Sequence, residues 1–409
     1  MPLSVPLPYL LTGVCGAAFF GVLLPWVAPD ALLAPDLPHV LTLVHIATLG
    51  WLTMIIMGAS LQLVPVIVVT PLRASGLVRV QFLLYLVGVV LLLAGFWWMR
   101  PWLLAVGGAC IIVAVTAYVV VLGLTLAHAT ARPLTMRYLI AALVYLCTVV
   151  ALGLTAALNL QFGFLGAGAH RLLLVHITIG VAGWLSMMVM GVSYQLGRMF
   201  ALAHGHDDQI GAIVFVLLNL SLIGLAISFA CDWPPLTLAA GILLITAVWL
   251  FAYDYTRMVR LRRRHVLDIT QWHGIVAVAY LAVVMPSAVV VALAHWTRPP
   301  ILAALGLAVL VGWLGQSTIG YLYKIVPFLI WNTRFGPLVG RQKVPLMRDL
   351  LHGHWTVATF WLINLGLPLA VLWLASGWVW PLRVGGVMLG AGLVLAATNI
   401  MSVGLRKVV

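Results

Sequence analysis

A chain of 409 residues that is 64% hydrophobic and 7% charged, with a mean hydropathy of +1.18, cannot be a water-soluble domain without exposing most of its apolar surface. Its 21 Lys and Arg against 8 acids, all Asp, give a net charge of +13, but these basic residues lie in short loops between apolar runs. That is how membrane proteins distribute positive charge, so no nucleic-acid partner is needed to explain it.

In chain order, the first apolar run, 8–28, is long enough to span a bilayer and lacks a basic leader, so it reads as a spanning helix rather than a cleavable signal. Further runs of about twenty residues or more follow at 39–69, 80–98, 101–127, 135–160, 170–198, 209–230, 235–258, 270–296, 301–331, 352–376 and 379–404. The expected fold is an all-α polytopic membrane protein, a single membrane domain over 1–409. Its roughly twelve transmembrane helices fall into three pseudo-repeats of four, near 1–133, 134–266 and 267–409. Cys15, Cys110, Cys147 and Cys231 are scattered among these runs without CxxC or CxxCH spacing, which points to neither a disulfide framework nor covalently attached c-type haem.

The second run of each group carries the repeat. Residues 44–65 read VHIATLGWLTMIIMGASLQLVP; from 175 the chain reads VHITIGVAGWLSMMVMGVSYQLGR; from 312 it reads GWLGQSTIGYLYKIVP. Trp51 and Gly58 recur as Trp184 and Gly191, and again as Trp313 and Gly320, while Gln62 and Gln195 are matched by Lys324. The first two copies also share a His pair, His39 and His45 against His170 and His176, with two extra residues before the second Gly-Trp. The third has no His there.

Loops after even-numbered runs hold most of the Lys and Arg, among them the 260–264 cluster with Arg264, and Arg334, Arg341, Lys343, Arg348, Arg406 and Lys407. Those after odd-numbered runs hold only Arg100, Arg171, Arg298 and Arg383. This asymmetry places both termini in the cytoplasm of a multi-pass cell-membrane protein. His39, His45, His170, His176 and His295 then lie toward the outer side, and His273, His352 and His354 toward the inner side.

Six residues turn a helix by about 240° net, so His39 and His45 cannot face one ligand, and one member of each pair belongs at the interface. The deeper members, His45 and His176, are intramembrane ionisable residues and hence candidates for metal or haem ligation; the alternative is a hydrogen bond between helices. Haem iron and copper suit neutral imidazole, whereas zinc would want a thiolate or carboxylate at ligand spacing. Met54, Met57, Met187 and Met190 read as packing filler and Lys324 as a snorkelling side chain.

With these residues in view, the chain resembles the catalytic subunit (subunit I) of the haem-copper oxidase superfamily. The segments HIATLGWLTMIIMGASLQLVP and HITIGVAGWLSMMVMGVSYQL are similar to its divergent, oxidase-like members and to the NnrS family of haem- and copper-containing membrane proteins linked to nitric oxide. The resemblance implies a haem ligand from the second helix and a copper ligand from the sixth. It also meets departures: the tenth run, 301–331, contains no His, the HxH of His352 and His354 opens the eleventh run instead, and no adjacent His-His stands in the seventh. With no Glu in the chain and Asp254 the only Asp near the interior of a run, a proton-pumping oxidase is disfavoured.

The expectation is therefore a membrane protein binding haem b, with copper as a further candidate, in electron transfer or binding of a diatomic gas such as nitric oxide or oxygen. His45 and His176 are the leading axial ligands, one on each face of the porphyrin; in a variant, His176 holds copper beside a five-coordinate haem. His39, His170 and His295 are secondary candidates on the outer side, and His273, His352 and His354 candidates for an inner site. The alternatives are a cofactor-poor transporter or structural membrane protein, or a terminal oxygen or nitric oxide reductase, an oxidoreductase completed by a partner subunit. Apart from the lipid bilayer, a redox partner or the gas itself would be the partner.

Overall fold

The computed structural model describes residues 3–263, 266–296 and 298–406; Arg264 and Lys407, counted above among the basic residues, lie outside the described residues. Among the described residues there is no strand, and 12 helices are long and apolar enough to cross a bilayer. They are α1 (Leu7–Leu32), α2 (Pro38–Ile67), α3 (Leu77–Trp97), α4 (Pro101–Ala127), α5 (Leu134–Phe162), α6 (Gly168–Ala201), α7 (Gln209–Cys231), α8 (Pro234–Arg260), α9 (Ile269–Leu293), α10 (Pro299–Leu338), α11 (Gly353–Ser376) and α12 (Val379–Leu405). The chain is an all-α multi-pass membrane protein in three groups of four helices. Most expected limits hold to about a turn. The exception is α10, expected at 301–331 and observed over 40 residues, because it runs on through a π turn at Trp331–Phe335 and a 3-10 turn at Gly336–Leu338.

The organising stretch has a local structure that its apolar pattern did not announce. In α2, α6 and α10 an eight-residue π-helical segment interrupts the α-helix, at Ile46–Thr53, Ile179–Ser186 and Ala308–Gly315. Their starting positions, 46, 179 and 308, keep the same offsets as Trp51, Trp184 and Trp313. A π turn closes its hydrogen bonds over five residues and is wider than an α turn. In each copy the fifth residue is a Gly (50, 183 and 312) and the sixth is the Trp, whose indole is buried to 0%, 2% and 1% exposure in chain order. In the second copy the glycine lets a neighbour close on the widened turn: a Cβ at Gly183 would come within 2.8 Å of the Tyr145 ring.

Beyond each π segment the first and second helices of a group meet at one glycine. Gly58 faces Tyr9 of α1, Gly191 faces Tyr138 of α5, and Gly320 faces His273 of α9. A Cβ at Gly58 or Gly320 would lie 2.6 or 2.9 Å from the Cβ of its neighbour, and one at Gly191 would overlap that of Tyr138. Lipid offers no hydrophobic drive between helices, so close approach of this kind carries the packing. The third group thus has a histidine at the place where the other two have a tyrosine.

By contacts the chain divides into two compact units that do not follow the repeats. One comprises Met1–Gln62, Val266–Ala277 and Arg298–Val409; the other comprises Leu63–His265 and Val278–Thr297. The first unit holds α1, most of α2, the opening turns of α9 and α10 to α12, with α1 and α12 in backbone contact where Gly21 meets Gly390. The second holds α3 to α8, within which α3 and α4 close on Gly88 and Gly107.

In each group the loop after the second helix is tied back to the fourth. After α2, Thr70 Oγ1 donates to the His128 carbonyl (3.1 Å), and the Arg73 N–H donates to Thr125 Oγ1 (3.0 Å). After α6, His206 Nε2 bonds Asp254 Oδ1 of α8 (2.9 Å), and Arg257 donates to Asp207 (2.7 Å). After α10, the Asn399 amide of α12 brackets His352, accepting from its N–H (2.9 Å) and donating to its carbonyl (3.2 Å). Val121, Asp254 and Asn399 stand at the same distance from the first residues of their helices, Pro101, Pro234 and Val379, and all three are buried.

Candidate functional site

His45 closes the first α-helical part of α2, directly before the π segment. It is half-buried, and its Nδ1–H donates to the Leu41 carbonyl one turn back (2.8 Å). His176 is also half-buried, but its Nδ1–H crosses to another helix, donating to the Val149 carbonyl of α5 (3.2 Å). A carbonyl partner can only accept, so in both imidazoles the proton sits on Nδ1 and the lone pair on Nε2. That is the tautomer in which a histidine ligates a metal, with its other nitrogen held by a backbone oxygen. Gly153 of α5 lies under the His176 ring, where a Cβ would come within 3.1 Å of Cε1.

Measured from the π segments, the two histidines are not in register: His45 immediately precedes its segment, whereas His176 stands three residues before. The two-residue difference turns His176 by about 200° relative to His45 on its own helix. The extra residues of the second copy therefore re-aim its histidine, and this explains why one bonds along its helix and the other across to a neighbour.

The secondary candidates expected on the outer side are all exposed. His39 and His170 are exposed, and His39 lies 3.5 Å from Asp30. His295 falls beyond the end of α9, exposed and with a positive φ of 53°.

Of the inner candidates, the His352 and His354 rings lie side by side, 6.0 Å between centroids, whereas His273 has other partners. His352 precedes the first residue of α11, its ring against that of Trp355 (4.7 Å between centroids) and beside the Arg406 guanidinium, which lies 3.2 and 3.3 Å from its nitrogens. Partial burial first, then the Arg406 and His354 charges, hold the His352 imidazole below its ordinary 6.5. His354 is exposed. His273 is fully buried, its ring edge-on to Tyr323 (5.9 Å) and Phe360 (5.1 Å). Among the described residues no group of three or more His, Cys, Asp or Glu could hold a metal ion, so a bare copper or zinc centre has no ligand set there. Haem asks less of the protein, one or two axial side chains, and His45 and His176 each present one Nε2 lone pair.

Two buried polar clusters were not expected. The first fixes His273. Asn364 Nδ2 donates to the Phe360 carbonyl (2.8 Å), which sets the orientation of that amide; Gln316 Nε2 then donates to Asn364 Oδ1 (2.9 Å), leaving Gln316 Oε1 to accept from His273 Nδ1–H (3.0 Å). The tautomer of His273 thus follows from a backbone oxygen through two amides. Gln316 stands where the other copies have Met54 and Met187, both fully buried, so only the third copy is polar here. Near by, Lys324 pairs with Asp268 rather than snorkelling freely, and Asp268 and Gln271 exchange backbone-to-side-chain bonds (3.0 and 3.2 Å) as the capping box of α9.

The second cluster is the His206–Asp254 pair, both side chains at 0% exposure, with Arg257 Nε 3.4 Å from the same Asp254 oxygen. The Tyr194 ring stacks on His206 (6.5 Å) and meets Tyr138 (5.7 Å), whose hydroxyl donates to the Gly211 carbonyl (2.8 Å). Outside the helices, the Gln209 N–H first, then Arg257, hold the Asp207 carboxyl below its ordinary range. The lone intramembrane Asp254 was the one signal of this cluster in the sequence; its partner lies 48 residues away in a polar loop. No known family model matches the chain, and no curated protein does.

Proposed function

We propose that this chain is a haem-binding membrane protein of the haem-copper oxidase-like type, acting in electron transfer or in binding nitric oxide or oxygen, with His45 and His176 as iron ligands. One observation carries the reading: at both positions a half-buried imidazole keeps its proton on a carbonyl-bound Nδ1 and offers Nε2, beside a π segment in the organising helix. Interruptions of this kind cluster at functional sites. In this reading the Leu41 and Val149 carbonyls hold the two rings, and the buried Trp51 and Trp184 exclude water beside them. Bound haem would supply a one-electron couple and, where an axial position opens, a seat for a diatomic gas. Haem b needs no covalent link to the chain, and copper would require ligands beyond this pair. We infer further that the arginine-rich ends of the even-numbered helices face the cytoplasm of the cell membrane.

The second reading, a cofactor-poor transporter or structural membrane protein, is favoured by the exposed His128, which makes the same bond one turn back along its helix, to the Leu124 carbonyl (2.8 Å), as His45 does. Absorption spectroscopy with haem and metal analysis of the detergent-purified chain separates the two. The haem reading expects a Soret band and at least one haem per chain, and purified protein from haem-replete cells without a Soret band would leave the second reading.

A further inference from the structure

The three groups tie the loop after their second helix to the fourth helix in three ways, and one of them uses more charge than the tie requires. At matching buried positions the groups have Val121, Asp254 and Asn399. In the third group the neutral amide of Asn399 holds both backbone groups of His352. In the first, threonine and backbone bonds suffice. The second group instead buries an imidazole against a carboxylate at 0% exposure, which carries a desolvation penalty that a neutral tie avoids.

That pair also keeps open valences. His206 Nδ1 and Asp254 Oδ2 are both buried and have no hydrogen-bond partner among the described residues. With Arg257 Nε 3.4 Å from Asp254 Oδ1, the carboxylate is the charged partner, His206 Nε2–H donates to it, and the lone pair of His206 points away on Nδ1. Neither side chain has surface open to anything as large as water. A metal or organic ligand has no room there, and a proton reaches Nδ1 only through an opening of the loop that admits water.

The charged and titratable groups facing the pair come from every element around it. Arg257 Nε of α8 lies 3.4 Å from Asp254, the Tyr194 ring of α6 stacks on His206 with Tyr138 of α5 against it, and in the loop Asp207 and Asp208 pair with Arg257 and Arg198 (2.7 Å each). The two loop aspartates are half-exposed, so carboxylates stand between the buried pair and solution. The Tyr138 hydroxyl donates to the Gly211 carbonyl (2.8 Å), and the Tyr194 hydroxyl is buried.

We propose that His206 and Asp254 form a proton-loading site: a proton from water adds to the Nδ1 lone pair of His206, gives an imidazolium held by the Asp254 carboxylate, and returns to water by the same route. The site stands independently of the haem reading. An intramembrane ionisable pair with its partner in place is the usual form of a proton-binding element in membrane proteins.

The experiment is histidine C2-hydrogen exchange read by mass spectrometry on the full-length chain in nanodiscs, as a function of pH, with infrared difference spectra after a pH jump. The wild type should show a sigmoidal exchange profile at His206 and an infrared change in the carboxylate region. Asp254→Asn places the third group's amide in the second, so it should keep the fold and the thermal midpoint while moving the His206 profile to lower pH by about one unit or more. His206→Gln should remove the infrared change. A flat His206 profile between pH 5 and 9, or the same profile in Asp254→Asn as in the wild type, would make the pair a structural latch and overturn the proposal. Should Asp254→Asn misfold, the His206→Gln spectrum decides alone: an unchanged infrared difference overturns the proposal and a lost one supports it.

Discussion

A histidine in an apolar helix has to place one N–H and one lone pair, and where the N–H goes decides what the lone pair can do. At His45 and His176 it goes to carbonyls; at His273 it goes to Gln316, and the ring is sealed by Tyr323 and Phe360. The distinction gives a test. Gln316→Met installs the residue of the other two copies but strands His273 Nδ1–H and the Asn364 amide, and should cost about 1–3 kcal/mol in unfolding free energy. Adding His273→Tyr, the residue that faces the matching glycine in the first two groups, should recover part of that loss in a double-mutant cycle. Equal and additive costs would mean that the third group's polar cluster is not a unit. The histidines themselves were legible in the sequence. The cluster around His273 was not, because Gln316, Asn364 and Phe360 lie on other helices and nothing in a linear pattern pairs them. Lys324 was misjudged for the same reason: its partner Asp268 lies 56 positions away.

At the scale of one helix, the π segments separate what the sequence could show from what it could not. Twelve apolar runs mark twelve helices because the bilayer dictates length and composition. The Gly-Trp repeat also showed which helix of each group is special. That the backbone changes its hydrogen-bonding there could not be read, since π and α turns draw on the same apolar residues. Two consequences follow for the glycines. Gly191→Ala sets a methyl against Tyr138 and should cost about 1–3 kcal/mol, whereas Gly50→Ala meets nothing within 4 Å and should be tolerated. Thermal unfolding in detergent ranks them, and equal effects would refute the close-approach account. Trp184→Ala, by emptying the space of a buried indole, should cost about 3–5 kcal/mol.

The loop ties belong to this scale too. Because His352 is held below its ordinary 6.5, the folded chain disfavours its protonated form. Stability from that site is full above 6.5 and is lost as pH falls through and below it. Amide exchange in the segment before α11, corrected for intrinsic rate, should therefore show protection falling between pH 8 and pH 5. The dependence should vanish in His352→Gln, and its persistence there would assign it to another group.

Over the whole chain, three copies of one four-helix plan have diverged by substitution at matched places: Tyr9, Tyr138 and His273 against a glycine; Met54, Met187 and Gln316 just after the π segment; Val121, Asp254 and Asn399 under the loop tie. The repeat was legible because glycine and tryptophan have few substitutes where backbones close together. The division into two compact units was not, since it cuts α2 and α9 where no composition change marks a boundary. Divergence on a symmetric scaffold is what allows particular copies to carry chemistry, and the account places haem ligation in the first two. The most direct test is the visible spectrum and haem content of purified His45→Ala and His176→Ala beside His39→Ala and His170→Ala. The first two should lose the Soret band or convert it to a high-spin form, and the exposed pair should retain the wild-type spectrum. A wild-type spectrum with full haem content in both deep variants would contradict the assignment.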